Sequence, residues 1–461
     1  MSADWFERLG KHPQLLPLQA RMSNGSGPLH TLISERRMTE RLLPEELARH
    51  QSTALLELAR HCAAQSPHFA GRLAVAGLTP EALAAPGGLE KLPPLTRREL
   101  VDAGENLFCR TYPQAHGAVS STSTSGSTGE PVTIKRTELC GWQWMAYTLR
   151  EHLWHDRDFS GRLAAVRANI TKVVDVPNWG PPCNLVFQTG PWAARPAFWS
   201  VEDLCQWLGE FDPMFLLMLP SSLAAIVTEM ERTGQRLPKL RSVRTLSETV
   251  SVHLREDVRR VFGVGIEDVY SSQEFGVLAT QCPEHGSYHI SETILMEVVD
   301  DAGRACGPGE IGRILVTDLV NYATPLIRYE IGDYAEAGEP CACGRGLPTI
   351  RRFLGRERNL VLLPDGTKHW PVVGFHRWEK VHTVRQFQFI QTDRRTILAK
   401  MSAPSRPTSE QEAQLTGIIQ EELKHPFDIQ YEWHEGPLPR GPGGKFEEFI
   451  CRVGVESESG K

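Results

Sequence analysis

The sequence predicts an α/β protein: a large multi-layer N-terminal domain with a β-rich subdomain, followed by a small α+β C-terminal domain. Three observations predict it. Helical segments alternate with short apolar runs from about residue 137 to 275, the pattern of helices layered on a sheet. After 275, Gly, Pro and Cys become frequent while helical periodicity fades, which indicates short strands and turns. Beyond Gly355-Arg356, strand-like alternation returns beside one long helical stretch. These shifts place the large domain at 1–355, with 275–355 its β-rich part, and the small domain at 356–461.

Residues 43–65 read as an amphipathic helix, with Pro44 in its first turn and Ala54, Leu55, Leu58 and Cys62 on one face. A Ser/Thr/Gly-rich loop precedes the alternating Val132-Thr133-Ile134-Lys135, a strand. The apolar run 214–219 and the helical stretch 223–232 form one step of the α/β alternation, and 313–318 and 326–329 read as strands of the β-rich part. Pro364-Asp365-Gly366 marks a hairpin. In the small domain Phe387 and Phe389 alternate with Gln386 and Gln388, and a turn at Asp393-Arg394 leads to Ile397-Leu398. A helix there opens with Ser409 and Glu412 at capping-box spacing and carries Leu415, Ile418, Ile419 and Leu423 on one face.

At 461 residues the chain is roughly three times the ~150 residues of a typical domain. Its 50 Lys and Arg against 56 Asp and Glu give a net charge of −6, which argues against nucleic acid or an anionic membrane as partner. The opening MSADWFERLGKH has no basic region leading into an apolar stretch, so no secretory signal is expected. The most apolar window, Phe215 to Leu219, stops at Pro220 and falls short of the ~20 residues of a spanning helix. The expected location is the cytoplasm. Ten cysteines are too sparse for a disulfide scaffold, and in a reducing compartment they point to metal ligation or burial.

The loop containing Ser125, Gly126, Ser127, Thr128 and Gly129 has backbone and hydroxyl donors suited to wrapping a polyphosphate. It lacks the Gly-Lys-Ser/Thr of a Walker loop, and a flexible linker is the plain alternative. Its continuation through Glu130-Pro131 resembles the phosphate loop of the adenylate-forming superfamily: acyl-CoA synthetases, adenylation domains and luciferases. Five further stretches resemble that family in the correct order. They are Ser247-Glu248-Thr249, Tyr270-Ser271-Ser272-Gln273-Glu274, Tyr329-Glu330-Ile331-Gly332-Asp333, Gly355-Arg356, and the terminal element ending in Gly444-Lys445. The branch that the chain resembles is that of phenylacetate-CoA ligase, which the early helix, Ser66-Pro67-His68-Phe69 and Leu92-Pro93-Pro94-Leu95 also fit.

The resemblance implies an adenylate-forming large domain, a mobile lid and a set of roles. Glu274 would hold Mg²⁺ on the ATP phosphates, as a hard oxygen donor suits a hard cation. Ser247 and Glu248 would lie in the adenine turn, and Tyr270 would stack on the base. Ser271 and Gln273 would flank the α-phosphate region, Asp333 would accept both ribose hydroxyls, and Arg356 would assist there. Lys445 would bridge the substrate carboxylate and the α-phosphate, offsetting charge as one anion attacks another. Gln273 stands where the family has a hydroxyl, Thr249 where it has Pro and Ser271 where it has Gly; at the hinge Glu357-Arg358-Asn359 replaces the usual Asp or Lys.

A second constellation is Cys282-Pro283-Glu284-His285 with Cys341-Ala342-Cys343. Three thiolates and an imidazole make a closed tetrahedral zinc site with no open position for water, so structural Zn²⁺ is expected on Cys282, His285, Cys341 and Cys343, with His289 competing for the nitrogen position. Seven of the eleven tryptophans lie between Trp142 and Trp207, near Phe187 and Phe198. In the family fold this region would line the acyl pocket, which suggests an aromatic acid, although core packing accounts for most such residues. Arg167, Asn169, Lys172 and Asn178 are polar candidates to read a ring substituent.

The expected activity is ATP-dependent adenylation of a small, aromatic carboxylic acid with release of pyrophosphate, then transfer to a thiol, CoA by analogy with the branch. A carrier protein, an amine, or activation of nitrite for diazo formation are the alternatives. A non-catalytic nucleotide-binding relative is the rival class, opposed by the presence of both Glu274 and Lys445. A homodimer is left open.

Overall fold

Residues 10–124, 132–356, 359–369, 378, 381–436, 438–439 and 446–453 are described by a computed structural model of the chain. The loop residues 125–131, the hinge residues Glu357 and Arg358, and Lys445 lie outside them. The chain divides into two compact units. The first comprises Met1–Gly161, Val176–Trp192 and Asp268–Phe353, and the second Arg162–Asp175, Ala193–Glu267 and Leu354–Lys461.

The first unit begins with helices. In α1 (Gly27–Thr39) the buried positions Leu29, Leu32, Ile33 and Arg36 repeat at helical spacing. In α2 (Pro44–Gln65) Pro44 occupies the first turn, the Leu43 N–H donates to the Glu46 carboxylate at 3.1 Å, and Leu47, Leu55, Leu58 and Cys62 are buried. A third helix, α3 (Pro67–Ala76), is capped by the Ser66 hydroxyl accepting from the Phe69 N–H and stopped by Gly77 in the left-handed conformation. Strands β1 (Val119–Thr124) and β2 (Val132–Thr137) pair antiparallel, and β2 leads directly into the long helix α4 (Glu138–Trp154).

The chain then builds the parallel layer of the second unit: β3 (Leu163–Arg167), β4 (Val174–Val176), β5 (Trp192–Pro196), α5 (Val201–Phe211), β6 (Phe215–Met218), α6 (Pro220–Thr233), β7 (Ser242–Leu246) and α7 (Val252–Phe262). Strand order is β7-β6-β3-β5-β4. Strands β3, β6 and β7 run parallel, with Ala165 beside Leu217 and Leu217 beside Arg244. Ala164, Val166, Leu216, Met218 and Val243 pack with the apolar faces of α5, α6 and α7. Period-two alternation therefore turns residues 165, 167, 217 and 244 to the opposite face.

Back in the first unit, β8 (Ile266–Ser272), β9 (Gly276–Gln281), β10 (Tyr288–Ile290), β11 (Ile294–Val299), β12 (Ile311–Asp318), β13 (Tyr329–Ala337) and β14 (Thr349–Arg356) are ordered β11-β12-β13-β14-β10-β9-β8. This is the β-rich region expected after 275. The expected strand at 326–329 starts only at Tyr329, because Arg328 takes a left-handed φ of 57°. Its guanidinium holds that kink, reaching Glu297 at 3.0 Å and the carbonyls of Glu90 and Leu92 at 2.6 and 2.7 Å.

The C-terminal part of the second unit has a short hairpin, β15 (Val361–Leu362) with β16 (Lys368–His369), and a four-stranded sheet of order β19-β18-β17-β20. Its strands are β17 (Gln386–Gln391), β18 (Thr396–Ser402), β19 (Asp428–His434) and β20 (Phe449–Cys451), and helix α8 (Ser409–Glu422) lies between β18 and β19 in sequence. Phe387 and Phe389 pack with Leu415, Ile419 and Leu423, the face that the alternation and helical spacing predict. The capping box is formed one residue earlier than expected, by Thr408 and Gln411: each N–H is accepted by the other's side chain, at 2.9 and 3.2 Å. Ser409 is already helical, so its N–H belongs to the first turn.

The first unit also buries charge. The Arg150 guanidinium donates to Glu292 at 2.6 Å and lies 3.8 Å from Glu40, with all three side chains at most 3% exposed. Thr39 and Trp154 add donors to Glu292 and Glu40 at 3.1 and 3.0 Å. Burial alone would raise the Glu292 carboxyl; Arg150 and Arg36 outweigh it and hold it below the ordinary value. Replacing one partner leaves a buried charge uncompensated, so Arg150→Met is expected to lower unfolding stability by about 3–5 kcal/mol, measured by denaturant titration. The double variant Arg150→Met with Glu292→Leu should recover much of that loss.

Candidate active site and metal centre

Strand β8 and its turn carry the first group of candidate residues. Tyr270 and Ser271 lie on β8, Gln273 and Glu274 in the turn before β9. The Tyr270 ring is stacked on Phe353 with centroids 3.8 Å apart, and its hydroxyl donates to Asp333 Oδ2 at 2.6 Å. Asp333 is on β13, so the strand order brings together two residues 63 positions apart in sequence. One face of the Tyr270 ring is covered by Phe353, and one Asp333 oxygen is fixed by the phenol.

Glu274 is positioned by a residue that the sequence reading did not single out. Arg136, at the end of β2 and only 7% exposed, donates to the carbonyls of Gln273 and Phe275 at 3.2 and 3.4 Å, bracketing Glu274 on both sides. Its guanidinium also faces the Trp144 ring at 5.4 Å. Gly276, with φ 82°, lets the same indole approach, because a Cβ there would stand 3.2 Å from it. The only sequence signal for Arg136 was a cation ending the strand after the Ser/Thr/Gly loop. The cavity beside it, lined by Gln143, Tyr147 and Asp318 among others, is about 10 Å³, the room of one water rather than of an acid substrate.

The second unit holds the other candidates. Ser247 follows β7 with a left-handed φ of 72°, and the next carboxylate, Glu248, accepts three hydrogen bonds. Two come from Ser221 at the start of α6, from N–H at 2.9 Å and hydroxyl at 3.2 Å, and one from the Phe446 N–H at 3.1 Å. The favourable field at the α6 N-terminus explains why a carboxylate sits there. Gly355, with φ 88°, passes close to this turn: a Cβ would meet the Thr249 hydroxyl at 3.2 Å. Beyond it the Arg356 N–H donates to the Asn359 side chain at 3.1 Å, and the Asn359 amide donates to the Phe449 carbonyl at 2.8 Å. Asn359, one of the three substituted hinge residues, thus ties the end of β14 to β20.

Glu448 lies against Glu248. Burial, then the neighbouring negative charge, push its carboxyl up to about 7. Ionised Glu448 therefore opposes this packing. The stabilisation is complete below the ordinary carboxyl value of about 4.5 and is lost as pH rises through about 7. Stability relative to Glu448→Gln, measured by thermal unfolding across that range, should fall between these two values and be flat above them.

The cysteine cluster is assembled on the first unit. Cys282 opens the turn between β9 and β10, and Cys341 and Cys343 lie in the turn before β14. Among the described residues one ligand atom each from Cys282, His289, Cys341 and Cys343 falls within 4.8 Å of the others. The Cys282–Cys341 sulfur separation is 3.8 Å and Cys343 Sγ to His289 Nε2 is 3.3 Å. A tetrahedron with Zn–S of ~2.3 Å and Zn–N of ~2.0–2.1 Å puts its S···S edges near ~3.8 Å and its S···N edges near ~3.5 Å, so the donor set fits zinc. The imidazole is His289, the competing nitrogen of the sequence reading, and not the expected His285. The tight turn between Cys282 and Gly286, closed by N–H to carbonyl bonds of 3.1 and 2.7 Å, leaves His285 exposed, while β10 carries His289 inward to full burial. Burial, reinforced by Arg345 and Arg150, lowers His289 to about 4, which keeps it neutral and able to ligate. About one zinc per chain is expected by elemental analysis of purified protein, retained in His285→Ala and lost in His289→Ala.

Within each unit the tryptophans of this stretch have their own neighbours. Trp154 lies between Arg150 and Arg345 beside His289, Trp179 packs with Phe159, and Trp207 joins the core of the parallel layer, while Phe198 is 71% exposed. Among the described residues no helix is long and apolar enough to cross a membrane.

Comparisons with known proteins agree with this architecture. No protein-family model matches the sequence. A phenylacetate-coenzyme A ligase of Thermus thermophilus is 28% identical over 163 residues, which is 33% of this chain and 36% of that protein, so the match spans about a third of the relative. One from Pseudomonas putida is 23% identical over 349 residues, 69% of this chain and 72% of the relative. Among solved structures, 2-hydroxyisobutyryl-CoA ligase in the postadenylation state superposes with a TM-score of 0.68 at 15% identity, covering 90% of this chain and 91% of that one. An anthranilate CoA ligase in complex with anthranoyl-AMP gives 0.52 at 19% identity, covering 71% and 65%. The chain therefore shares the fold of these solved ligases and is similar in sequence to phenylacetate-coenzyme A ligases.

Proposed function

We propose that this protein couples ATP to the activation of a small, aromatic carboxylic acid, forming an acyl-adenylate and pyrophosphate, and passes the acyl group to CoA. The observation that carries the reading is the hydrogen bond from the Phe446 N–H to Glu248. It brings the residue that follows Lys445 in sequence to the turn expected to receive adenine. To Lys445, the lysine of the terminal element, we assign the charge that offsets what builds when a carboxylate approaches an α-phosphate.

The remaining roles follow the chemistry of each side chain. The hydroxyls and N–H groups of Ser125, Gly126, Ser127, Thr128 and Gly129 hold the phosphates. Glu274, kept in place by Arg136 on its two flanking carbonyls, offers an oxygen to Mg²⁺. Asp333, oriented by Tyr270, accepts from the ribose, with Arg356 assisting. The cysteine and histidine cluster is far from this chemistry in kind: four donors fill a tetrahedron, so the zinc is structural, and its contribution is to folding. CoA as acceptor rests on the acyl-CoA ligases named above.

The test is ATP–pyrophosphate exchange with a panel of aryl and alkyl acids. Lys445→Ala should lower exchange about 10²–10³-fold while ATP still binds, because one charge aimed at the transition state is removed. Near-normal exchange in that variant would remove the lysine from the mechanism.

A further inference from the structure

Two further cysteines of the first unit meet outside the cysteine and histidine cluster. Cys62 is near the end of α2 and fully buried, and Cys109 lies in the loop before β1 and is 8% exposed. Both are free thiols, and their sulfurs are 3.8 Å apart although 47 residues separate them in sequence. The backbones that carry them are fastened to each other. The Arg110 N–H donates to the Gln65 carbonyl at 3.2 Å, and the Ser66 hydroxyl donates to the Leu107 carbonyl at 2.9 Å. Leu58, Phe69, Leu73 and Ile327 pack in the same apolar cluster as the two thiols.

Cys282 and Cys341 have the same separation, but a third thiol and an imidazole stand with them. Among the described residues, the groups of three or more donors that could hold a metal include neither Cys62 nor Cys109. A closed tetrahedral site needs four donors, so the chemistry open to this pair is a bond between its own sulfurs. A disulfide sets the sulfurs ~2.05 Å apart, which asks two side chains on backbones already joined to share a closing of ~1.8 Å.

We propose that Cys62 and Cys109 are a modification site: on contact with a peroxide they join in a disulfide that staples α2 to the loop before β1. The inference goes beyond the adenylation reading and does not depend on it, since neither thiol is among the residues assigned to that reaction. Cys109, the less buried of the two, meets the oxidant. Its thiolate attacks one peroxide oxygen, the O–O bond breaks, and a sulfenic acid forms while the departing hydroxide takes up a proton as water. The Cys62 sulfur then attacks the sulfenic sulfur, and its proton leaves with the displaced hydroxide as a second water. Two thiols and one hydrogen peroxide thus give one disulfide and two waters, with two electrons passing from sulfur to oxygen. Burial, then the neighbouring Cys109, push the Cys62 thiol well above its ordinary value, which suits the second step better than the first. The staple extends further through the unit. The Cys109 N–H donates to the Ala323 carbonyl at 3.0 Å, and the next residue, Thr324, accepts from the Lys135 N–H of β2 at 3.0 Å. Closing the bond therefore fastens α2, the loop and β2 together, and it removes the freedom of a long loop from the unfolded chain.

The experiment treats the folded chain with hydrogen peroxide, blocks the remaining thiols with N-ethylmaleimide and maps the tryptic peptides by mass. Cleavage after Arg60, Arg72, Arg98 and Arg110 leaves Cys62 and Cys109 each as the single cysteine of its peptide, 61–72 and 99–110. The expected product is one species at the sum of the two peptide masses less two hydrogens, which dithiothreitol splits. The midpoint of thermal unfolding should rise by several degrees in the oxidised protein and return on reduction, with no such rise in Cys62→Ala or Cys109→Ala. The wild-type peptide map decides the proposal even if a variant fails to fold. Both peptides recovered as maleimide adducts, at a peroxide dose that fully oxidises glutathione in the same solution, overturn the site. So do a link from either cysteine to a different one, Cys109 found only as its sulfinic acid, a link that forms only in urea, and a link that leaves the midpoint unchanged.

Discussion

The contact on which the first unit depends is the buried pairing of Arg150 with Glu292 at 2.6 Å. Arg150 belongs to α4, Glu292 to the link between β10 and β11, and Glu40 follows α1, so one guanidinium joins the N-terminal helices, the long helix and the β-rich region. Gln51 of α2 extends the joint by donating to the Glu292 carbonyl at 2.9 Å. Such an arrangement adds little net stability over an apolar packing of the same volume, but it is intolerant of partial formation. The same cluster borders the candidate metal ligands. Trp154 donates to Glu40 and stands edge-on to His289, and Arg345, two residues after Cys343, lies over that indole at 4.3 Å. Folding of the charged joint and closure of the cysteine cluster are therefore coupled through one tryptophan.

Within each unit the candidate residues are held from regular elements. Those proposed to do chemistry sit on turns: Glu274 between β8 and β9 in the first unit, Ser247 and Glu248 after β7 in the second. Each turn is fastened by a donor from a regular element. Arg136 holds the carbonyls around Glu274, and Ser221 at the start of α6 holds the Glu248 carboxylate. Neither fastening group needs to touch a substrate. Their effect is to remove backbone freedom at the positions proposed for a metal ligand and an adenine turn.

Much of the fold was legible because it depends on periodicity. The alternation of Phe387 and Phe389, the helical face of Leu415 and Ile419, and the apolar run of β6 follow local rules, and their burial agrees. The parts that were not legible depend on partners distant in sequence. Arg328 breaks the strand expected at 326–329 because it is anchored to Glu297, Glu90 and Leu92. His289 rather than His285 joins the cysteines because a strand direction, not a spacing of two residues, decides which imidazole turns inward. Arg136 had no pattern to announce it. The tryptophans were conspicuous in sequence, but composition does not say which neighbours each takes: Trp154 meets arginines, and Trp207 joins core side chains.

The joint around Arg356 bears on the second half of the proposed reaction. The C-terminal sheet and α8 have an apolar core of their own, in which Trp378, Phe387 and Phe389 are buried together. Next to it, Asn359 and Glu248 tie the chain by hydrogen bonds, to Arg356, Phe449 and Phe446. Each such bond is worth only ~0.5–1.5 kcal/mol net, because water replaces it when it opens, and those to the charged Glu248 somewhat more. A pivot at Arg356 would exchange bonds of this kind without disturbing either apolar core. At the proposed hinge the fastenings of Asn359 are polar and local, the kind that a rotating lid requires, and Gly355, with its φ of 88°, supplies backbone freedom beside them.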